Sequence, residues 1–503
     1  MKTLLALVLV LVLGWLGATW YVGSQAEQLV REEVANLEVL PGQKDIILDV
    51  LTYHRGLFSS RAVTCLIIQG DLAAMKEAAA LSGKLCANST IHHGPLAWTG
   101  DSLFIGLAAT EEVLDLSVLP PQGKALVDEI FQGQPPLTGS TRYGFDGSVS
   151  AKVAVSPARL ESPMGNLALD QLSLDVWQPG PSPYPVNSFL TLKGLNVSSP
   201  KMGMAVESLT GAVDVVSLLG GELPLTDINL TGKGLSVSQG ELPMLTFDAT
   251  LQGTSQDKGS TLSGTSGLWL DNLDGPALPF PMDSAYLGFD YTGFDKQALV
   301  KVNALSRELD EIQTGMMMGM MSGEGGGDLE EQLVRMQALM EEMMRVASEK
   351  LLHPGDSALE LKLLADNQNQ RQLTLDSRVR YLGKDGKNLT LEELDSLTKQ
   401  DGNAMLDRSV EMVELSVQAD MDQSLVPPPL VGKVDELVSK GLVIREGSRW
   451  STVLQANGGK LRLNGLPISA QELNQRLESI APSAPPAGPE DGLPAEIDPL
   501  ARL

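Results

Sequence analysis

Apolar and polar residues alternate along the middle third of the chain. The alternating runs are residues 149–155, 172–176, 190–192, 228–230, 235–237, 245–247 and 268–270. Successive side chains of a strand point to opposite faces, so this period predicts strands with one apolar and one polar face, as antiparallel sheets have. Glycine, asparagine and aspartate separate the runs at hairpin-like spacing. We therefore predict a mainly β fold with an elongated antiparallel sheet body.

Similar patterns flank this region and extend the sheet in both directions. Further strands are predicted at residues 46–51, 61–69, 85–93, 357–364, 371–381, 409–421, 442–446, 450–456 and 460–464. Short helices are predicted near residues 434–440 and 470–480, so the chain is α+β overall. The last residues, 481–503, contain six prolines and are expected to be disordered.

Residues 315–352 interrupt the strand pattern. A methionine-rich stretch with several glycines is expected to be flexible, and an amphipathic helix follows it. Asp328 can cap this helix, with Glu331 three residues later. The apolar stripe of the helix is Leu329, Leu333, Met336, Met340, Met343 and Ala347. The nine methionines from Met316 to Met344 could bind Cu(I) through their soft thioethers, but the helical stripe favours adaptable packing. Outside the stripe lie Met316, Met317, Met318, Met320 and Met321.

The first 23 residues are predicted to form a transmembrane anchor. An apolar run from Leu4 to Val22 nearly matches a bilayer core of about 30 Å. Its end carries Trp20 and Tyr21 in place of a small-residue cleavage site, which favours an anchor over a cleaved signal peptide. Lys2 precedes the run and acidic residues follow it, so the N-terminus is expected in the cytoplasm. In a bacterium this topology predicts a single-pass inner-membrane protein with a periplasmic body.

The predicted organisation has five parts. They are the anchor at 1–23, a β-rich body at 24–314, the methionine-rich stretch and helix at 315–352, a second β-rich region at 353–480, and the tail at 481–503.

The charge and composition of the chain disfavour some classes of binding partner. The 503 residues include 37 Lys+Arg and 63 Asp+Glu, which gives a formal net charge of −26. Nucleic-acid affinity depends on basic side chains that displace counterions, so no nucleic-acid partner is expected. The same charge disfavours adsorption to anionic lipid headgroups. Aromatic residues supply only 4% of the chain, so the apolar faces must be mainly aliphatic.

Two cysteines, Cys65 and Cys86, are candidates for a disulfide. An oxidising compartment would allow them to pair if their strands are neighbours. The alternative is two separate buried thiols that behave as small apolar residues.

Three short motifs resemble the YdgA-like family of bacterial proteins of unknown function. The motifs contain Tyr53, His54, Arg55, Gly56, Phe58 and Ser60, then His93, Gly94 and Pro95, and finally Asn464 and Gly465. Their order and spacing cover most of the chain up to about residue 480. The resemblance implies an inner-membrane anchor and a periplasmic body, and it supplies no active site.

A structural role for these motif residues is the simpler interpretation. Gly56 can supply a turn with positive φ, and Phe58 can bury beside Tyr53 across a hairpin. Imidazoles titrate near neutrality, so a catalytic cluster around His93 is the alternative. Neighbouring His92 and His93 point to opposite faces of a strand, which disfavours a metal site.

We found no motif that specifies an enzyme. The chain lacks the nucleophile-elbow, zinc-protease and Walker patterns, and Ser396 to Lys399 fits S-x-x-K without the companion elements. We predict a non-enzymatic protein with no catalytic residue, metal or cofactor.

The leading functional hypothesis is a membrane-tethered protein that binds a lipid or another apolar ligand in a sheet groove for envelope maintenance. The strand pattern resembles that of AsmA-like envelope proteins, whose sheets form lipid-holding grooves. The alternative is a scaffold for envelope protein partners or self-association, and the third hypothesis is an envelope hydrolase.

Overall fold

The structure is a computed structural model. It describes residues 46–478 except 69–83, 95, 100–101, 164, 183, 221–222, 241, 279, 323–328, 369, 400–401 and 427. The predicted anchor, Pro95, the predicted cap Asp328 and the tail lie outside the described residues. Within the described ranges, no helix has the length and hydropathy needed to cross a bilayer.

The N-terminal strands form an antiparallel series in the order β1, β2, β3, β6, β7, β8. Their bounds are β1 Ile46–Arg55, β2 Ser59–Ile68, β3 Lys84–His93, β6 Ala108–Asp115, β7 Leu137–Tyr143 and β8 Val149–Val155. Strands β4 (Ala97–Thr99) and β5 (Ser102–Phe104) form a separate two-stranded hairpin.

The central strands continue the same sheet from β8. Their bounds are β9 Ala158–Ser162, β10 Gly165–Leu169, β11 Gln171–Gln178, β12 Asn187–Ser198, β13 Gly203–Leu219, β14 Leu223–Gln239, β15 Leu242–Lys258, β16 Thr261–Asp274 and β17 Ser284–Asp295. Strand β8 pairs with β11, and β11 to β17 then pair in chain order, while β9 and β10 attach to the far end of β12. The longest strands have 17 residues, or about 56 Å at the rise of a β-strand.

The C-terminal strands complete the sheet. Their bounds are β18 Ala358–Asn367, β19 Gln370–Tyr381, β20 Val413–Asp422, β21 Ile444–Glu446, β22 Arg449–Asn457, β23 Lys460–Leu463 and β24 Leu466–Ile468. Every pairing is antiparallel, and the large sheet contains 22 of the described strands.

Seven α-helices join or cap the strands in the described part of the chain. They are α1 Pro121–Phe131, α2 Lys296–Ser322, α3 Leu329–Val346, α4 Leu391–Thr398, α5 Gly402–Met412, α6 Pro428–Ser439 and α7 Ala470–Glu478. Short 3-10 helices occupy Leu116–Val118 and Gln423–Leu425, and a π-helical turn occupies Ala347–Leu351. The prediction of a mainly β protein with one large antiparallel sheet and a few helices is confirmed.

The methionine-rich stretch differs from its prediction. Helix α2 continues to Ser322, so residues 315–322, which we expected to be flexible, are helical. Methionine is a good helix former, and only two glycines interrupt this stretch. An ion pair of 2.5 Å between Arg335 and Glu308 connects α3 to α2. The first turns of α2 pack at the ends of central strands, where Leu299 and Val300 contact Leu219 and Leu262.

Cys65 and Cys86 lie directly opposite each other on β2 and β3. Their sulfur atoms are 2.01 Å apart, and both residues are buried. That the bond forms in protein isolated from cells stays a prediction.

We expect the paired substitution Cys65→Ala and Cys86→Ala to lower the free energy of unfolding by roughly 3 kcal/mol, because the unfolded chain regains the freedom of the closed loop. Denaturant titration of the oxidised protein and of this variant measures the difference. Alkylation with and without reductant serves as the control for oxidation. Equal midpoints would contradict a stabilising bond.

Candidate functional site

Two adjacent rows of apolar residues cross eleven strands on one face of the sheet. The first row is Val153, Leu174, Leu190, Gly211, Leu230, Leu251, Leu268, Leu287, Leu363, Leu375 and Ala419. The second row is Val155, Leu172, Leu192, Leu209, Gly232, Ala249, Leu270, Ala285, Ala365, Leu373 and Met421. We call these two rows the aliphatic band.

The band follows from register. Each residue is directly opposite the next one in its row, and directly opposed residues of an antiparallel pair share a face. The intervening positions point to the other face, where hydroxyl groups predominate. That opposite row includes Ser173, Thr191, Thr210, Thr231, Thr250, Tyr286 and Thr374. The sheet is therefore amphipathic across strands that are far apart in sequence.

The first row of the aliphatic band is partly exposed to solvent, whereas the second row is half-buried, with Gly232 and Ala365 buried. Leu251 is 37% exposed and Leu287 is 45% exposed, and Val153 and Leu174 are also exposed. None of the eleven residues in the first row is buried. Large contiguous apolar patches are uncommon on isolated proteins, and they usually mark an interaction surface. The band is therefore the strongest candidate binding surface in the described part of the chain.

The same face is covered at its C-terminal end. Leu454 and Leu463 continue the face from Val417, and they belong to a core that includes Ala456, which is 1% exposed. Three helices contribute the covering residues, which are Val410 of α5, Leu437 of α6 and Leu473 of α7. The chain thus covers this face with its own helices at the C-terminal end of the sheet. The band, on the strands before this end, has no such cover from these helices in the described part of the chain.

At the other end, the first row runs into polar residues. It continues from Val153 through Gly139 to Glu112 and Ser89. Burial raises the pKa of the Glu112 carboxyl, and the neighbouring Thr110 side chain lowers it by a smaller amount. Gly139 leaves room for this side chain, because a Cβ there would lie 3.1 Å from Glu112 Oε2. Glu112 is the first charged residue at this end of the row.

His93 and Ser60 form a buried pair on the same face. The distance between Ser60 Oγ and His93 Nε2 is 2.7 Å, and the residues are 1% and 2% exposed. The pKa of the His93 imidazole is lowered, mainly by burial. A hydrogen bond to the Leu57 backbone raises this pKa by a smaller amount, and the positive charges of Arg55 and His92 lower it further. A nucleophile and its base must reach substrate, so this pair fits packing of a polar core better than acyl transfer.

The other N-terminal motif residues lie around the β1–β2 turn. His54 and Arg55 are exposed, Tyr53 is half-buried, and His92 lies on the outer face with its Nε2 3.9 Å from Glu111 Oε2. Phe58 is 46% exposed, so our expectation that it buries beside Tyr53 is wrong.

Gly56 is required for a different reason from the one we expected. Its φ is not positive, but a Cβ at this position would lie 2.4 Å from the Ser59 carbonyl oxygen. The Gly56 N–H donates to that oxygen at 2.9 Å, which closes the β1–β2 turn. Close approach of the backbone, and not left-handed geometry, therefore excludes a side chain.

The remaining motif residues occupy turns. Gly94 is buried and has a φ of 109°, and it follows β3 directly. Asn464 and Gly465 form the two-residue turn between β23 and β24 with φ of 53° and 79°. Asn464 Oδ1 also accepts from the Val453 N–H at 2.8 Å. This is the Asn-Gly hairpin geometry, so these two residues position strands.

A polar cleft of about 910 Å³ lies beside α4, α5 and the β22–β23 turn. Its lining includes Lys384, Ser396, Arg408, Glu411 and Lys460. Ser396 begins the S-x-x-K sequence, but the Lys399 ammonium is exposed and lies 2.5 Å from Asp395. An exposed, ion-paired lysine is a poor base for a serine hydroxyl. Across the described ranges, no group of three or more His, Cys, Asp or Glu side chains is placed to hold a metal.

Sequence reasoning did not find the aliphatic band or Glu112. The alternation marks an apolar face on each strand, but it does not state which strands align. The only sequence signal was the repeated spacing of leucines in neighbouring strands.

We expect Glu112→Gln to raise the melting temperature at pH 7 and to have little effect at pH 4. A raised folded-state pKa means that the folded protein favours the protonated carboxyl, so the stabilising contribution is present at acidic pH and is lost as pH rises through the folded pKa. Glutamine resembles the protonated form at every pH. Thermal unfolding measured across this range checks the expectation; a gain confined to pH 4 would contradict it.

We expect Gly56→Ala to destabilise the protein by roughly 1–3 kcal/mol, because the added methyl group must displace the turn. Gly432→Ala is the contrasting variant: a Cβ at Gly432 meets open space, and inside α6 alanine is expected to be neutral or to stabilise by up to about 1 kcal/mol. Chemical denaturation of both variants and of the parent measures the effect. A Gly56→Ala variant as stable as the parent would show that the turn adapts without cost.

Comparison with known proteins identifies the family. Residues 1–471 match the family described as bacterial protein of unknown function (DUF945). Protein YdgA of Escherichia coli (strain K12) is 22% identical over 242 residues, which cover 47% of this chain and 44% of YdgA. The chain thus aligns with less than half the length of this curated relative. No solved structure gives a significant match. The resemblance to YdgA-like proteins is confirmed, and the chain belongs to the DUF945 family of bacterial proteins of unknown function.

Proposed function

We propose that this protein is a non-enzymatic, membrane-tethered envelope protein that binds the acyl chains of lipids on its aliphatic band. The observation that carries the proposal is that two apolar rows cross eleven strands without a charged residue and that no residue of the first row is buried. Covering an apolar face of this size with a ligand removes it from water, which lowers the free energy.

The composition of the band favours lipid over a protein partner. Its residues are leucine, valine, alanine, glycine and methionine, with no aromatic or charged residue in either row. Protein interfaces instead depend on tryptophan, tyrosine and arginine anchors surrounded by a polar rim. Trp269 and Tyr286, which pack with ring centres 4.8 Å apart, lie on the opposite face. Phe289 and Tyr291 lie on the band's own face, outside the two rows.

The expected affinity is adequate for a lipid ligand. Full burial of a methylene group is worth about 0.8 kcal/mol, and a chain lying on an open surface buries about half of its area. A chain of about 16 carbons would then gain roughly 6 kcal/mol before the entropic cost of ordering it. This corresponds to a dissociation constant of tens of micromolar at best, which suits reversible loading.

The anchor and the location belong to the same proposal. The apolar run from Leu4 to Val22 and the charge asymmetry around it support a single inner-membrane span with the body in the periplasm. A tether of this kind would keep the band near its lipid supply. The burial of Ser60 and His93 supports a binding role over hydrolysis.

The test uses a photo-crosslinking amino acid at Leu251 in the full-length chain in living cells. Leu251 lies in the first row, so we expect lipid adducts after irradiation, identified by mass spectrometry of the purified protein. Gln252 is the matched control, because it is the next residue of β15, is exposed, and points to the opposite face. We expect at least tenfold fewer lipid adducts at Gln252.

Two outcomes would contradict lipid binding. Equal lipid adducts at both positions would indicate contact with the bulk membrane. Adducts of one specific protein at Leu251, without lipid, would favour the alternative function as a scaffold.

A further inference from the structure

We propose that the aliphatic band holds two or more bilayer lipids at once. This inference rests on the proposed function, and it concerns the number of the lipids. It follows from the length of the band and from the chemistry of its rows.

The band is much longer than one acyl chain. Eleven strands give ten inter-strand steps, and at about 4.8 Å per step they span roughly 48 Å. One leaflet of a hydrocarbon core about 30 Å thick gives a chain length of roughly 15 Å. A single acyl chain therefore covers about a third of the band.

The apolar surface is wider than the two rows. The next row on the same face contains Val176, Val213, Ile228, Phe289, Leu361 and Val417, with serine and glycine between them. Adjacent rows are two residues apart along each strand, or about 7 Å. This flanking row widens the surface on which acyl chains can lie.

The two ends of the band differ. Glu112 interrupts the first row beyond Gly139, and a charged carboxyl is costly to cover with hydrocarbon. The second row instead continues from Val155 to Leu137, which is 37% exposed. At the other end, Met421 is opposite Trp450, which is 3% exposed, and the C-terminal helices cover the neighbouring core.

The chemistry of the rows favours ordinary bilayer lipids as the occupants. Ligand selection depends on a few placed polar groups, and neither row contains one. Without such groups, occupancy follows abundance, and the most abundant apolar chains beside an inner-membrane anchor are those of bilayer lipids. Their headgroups can face solvent, because no residue of the first row is buried.

The experiment places two photo-crosslinking residues in one full-length chain in cells, at Val153 and Leu375. These positions lie nine strand steps apart in the first row, or roughly 43 Å. We expect chains that carry two separate lipid adducts, each with the mass of a bilayer lipid. Lys152 and Asp376 are the paired control, because each is the neighbour of a test position and points to the opposite face.

A charged residue placed between the two crosslinking positions distinguishes several short lipids from one long lipid chain. We expect Leu251→Asp to leave adduct yields at Val153 and Leu375 within twofold of the parent, because independent lipids load on each side. A single long isoprenoid chain would instead appear as one adduct joined to both positions, and its yield would fall about tenfold with Leu251→Asp. Thermal unfolding of the variant confirms that it folds.

The remaining outcomes separate this inference from the proposed function. Adducts at only one of the two positions would overturn multiple occupancy and leave lipid binding intact. An absence of lipid adducts at Val153, Leu251 and Leu375 alike would overturn both.

Discussion

The structure depends on one constraint, which is that directly opposed residues of neighbouring strands share a face. Each central strand alternates apolar and polar residues, but alternation alone would produce scattered apolar positions. The register instead aligns Leu230, Leu251 and Leu268 across three strands, and the same alignment continues over eleven. A slip of one residue between any two strands would move leucines to the hydroxyl-rich face. The amphipathic sheet is therefore a collective property of many pairings.

A single face carries three different environments along the sheet. At the N-terminal end it buries Ser60 and His93, whose hydrogen bond satisfies part of a polar core. In the centre it exposes leucine, and at the C-terminal end it packs under α5, α6 and α7. Burial of aliphatic residues is favourable wherever cover is available. The contrast between the covered end and the open centre is the physical basis for a ligand on the band.

Sequence reasoning predicted the strands better than the site. The period of two located most central strands, and the neighbouring positions of Cys65 and Cys86 were consistent with adjacent strands. The alternating sequence pattern could not predict that Gly211 and Gly232 lie within the apolar rows, because an isolated glycine more often signals a turn. Gly56 was assigned a positive φ, although contact with the Ser59 carbonyl is what excludes a side chain there. Such close approaches depend on tertiary geometry that spacing does not encode.

The most direct test of the account is an experimental structure of the full-length protein extracted from its membrane in native lipid, without detergent. The account predicts elongated density on the aliphatic band between Leu174 and Leu375, with the hydroxyl-rich face free of it. A band covered by another part of the chain or by a second copy, with no such density, would contradict the account.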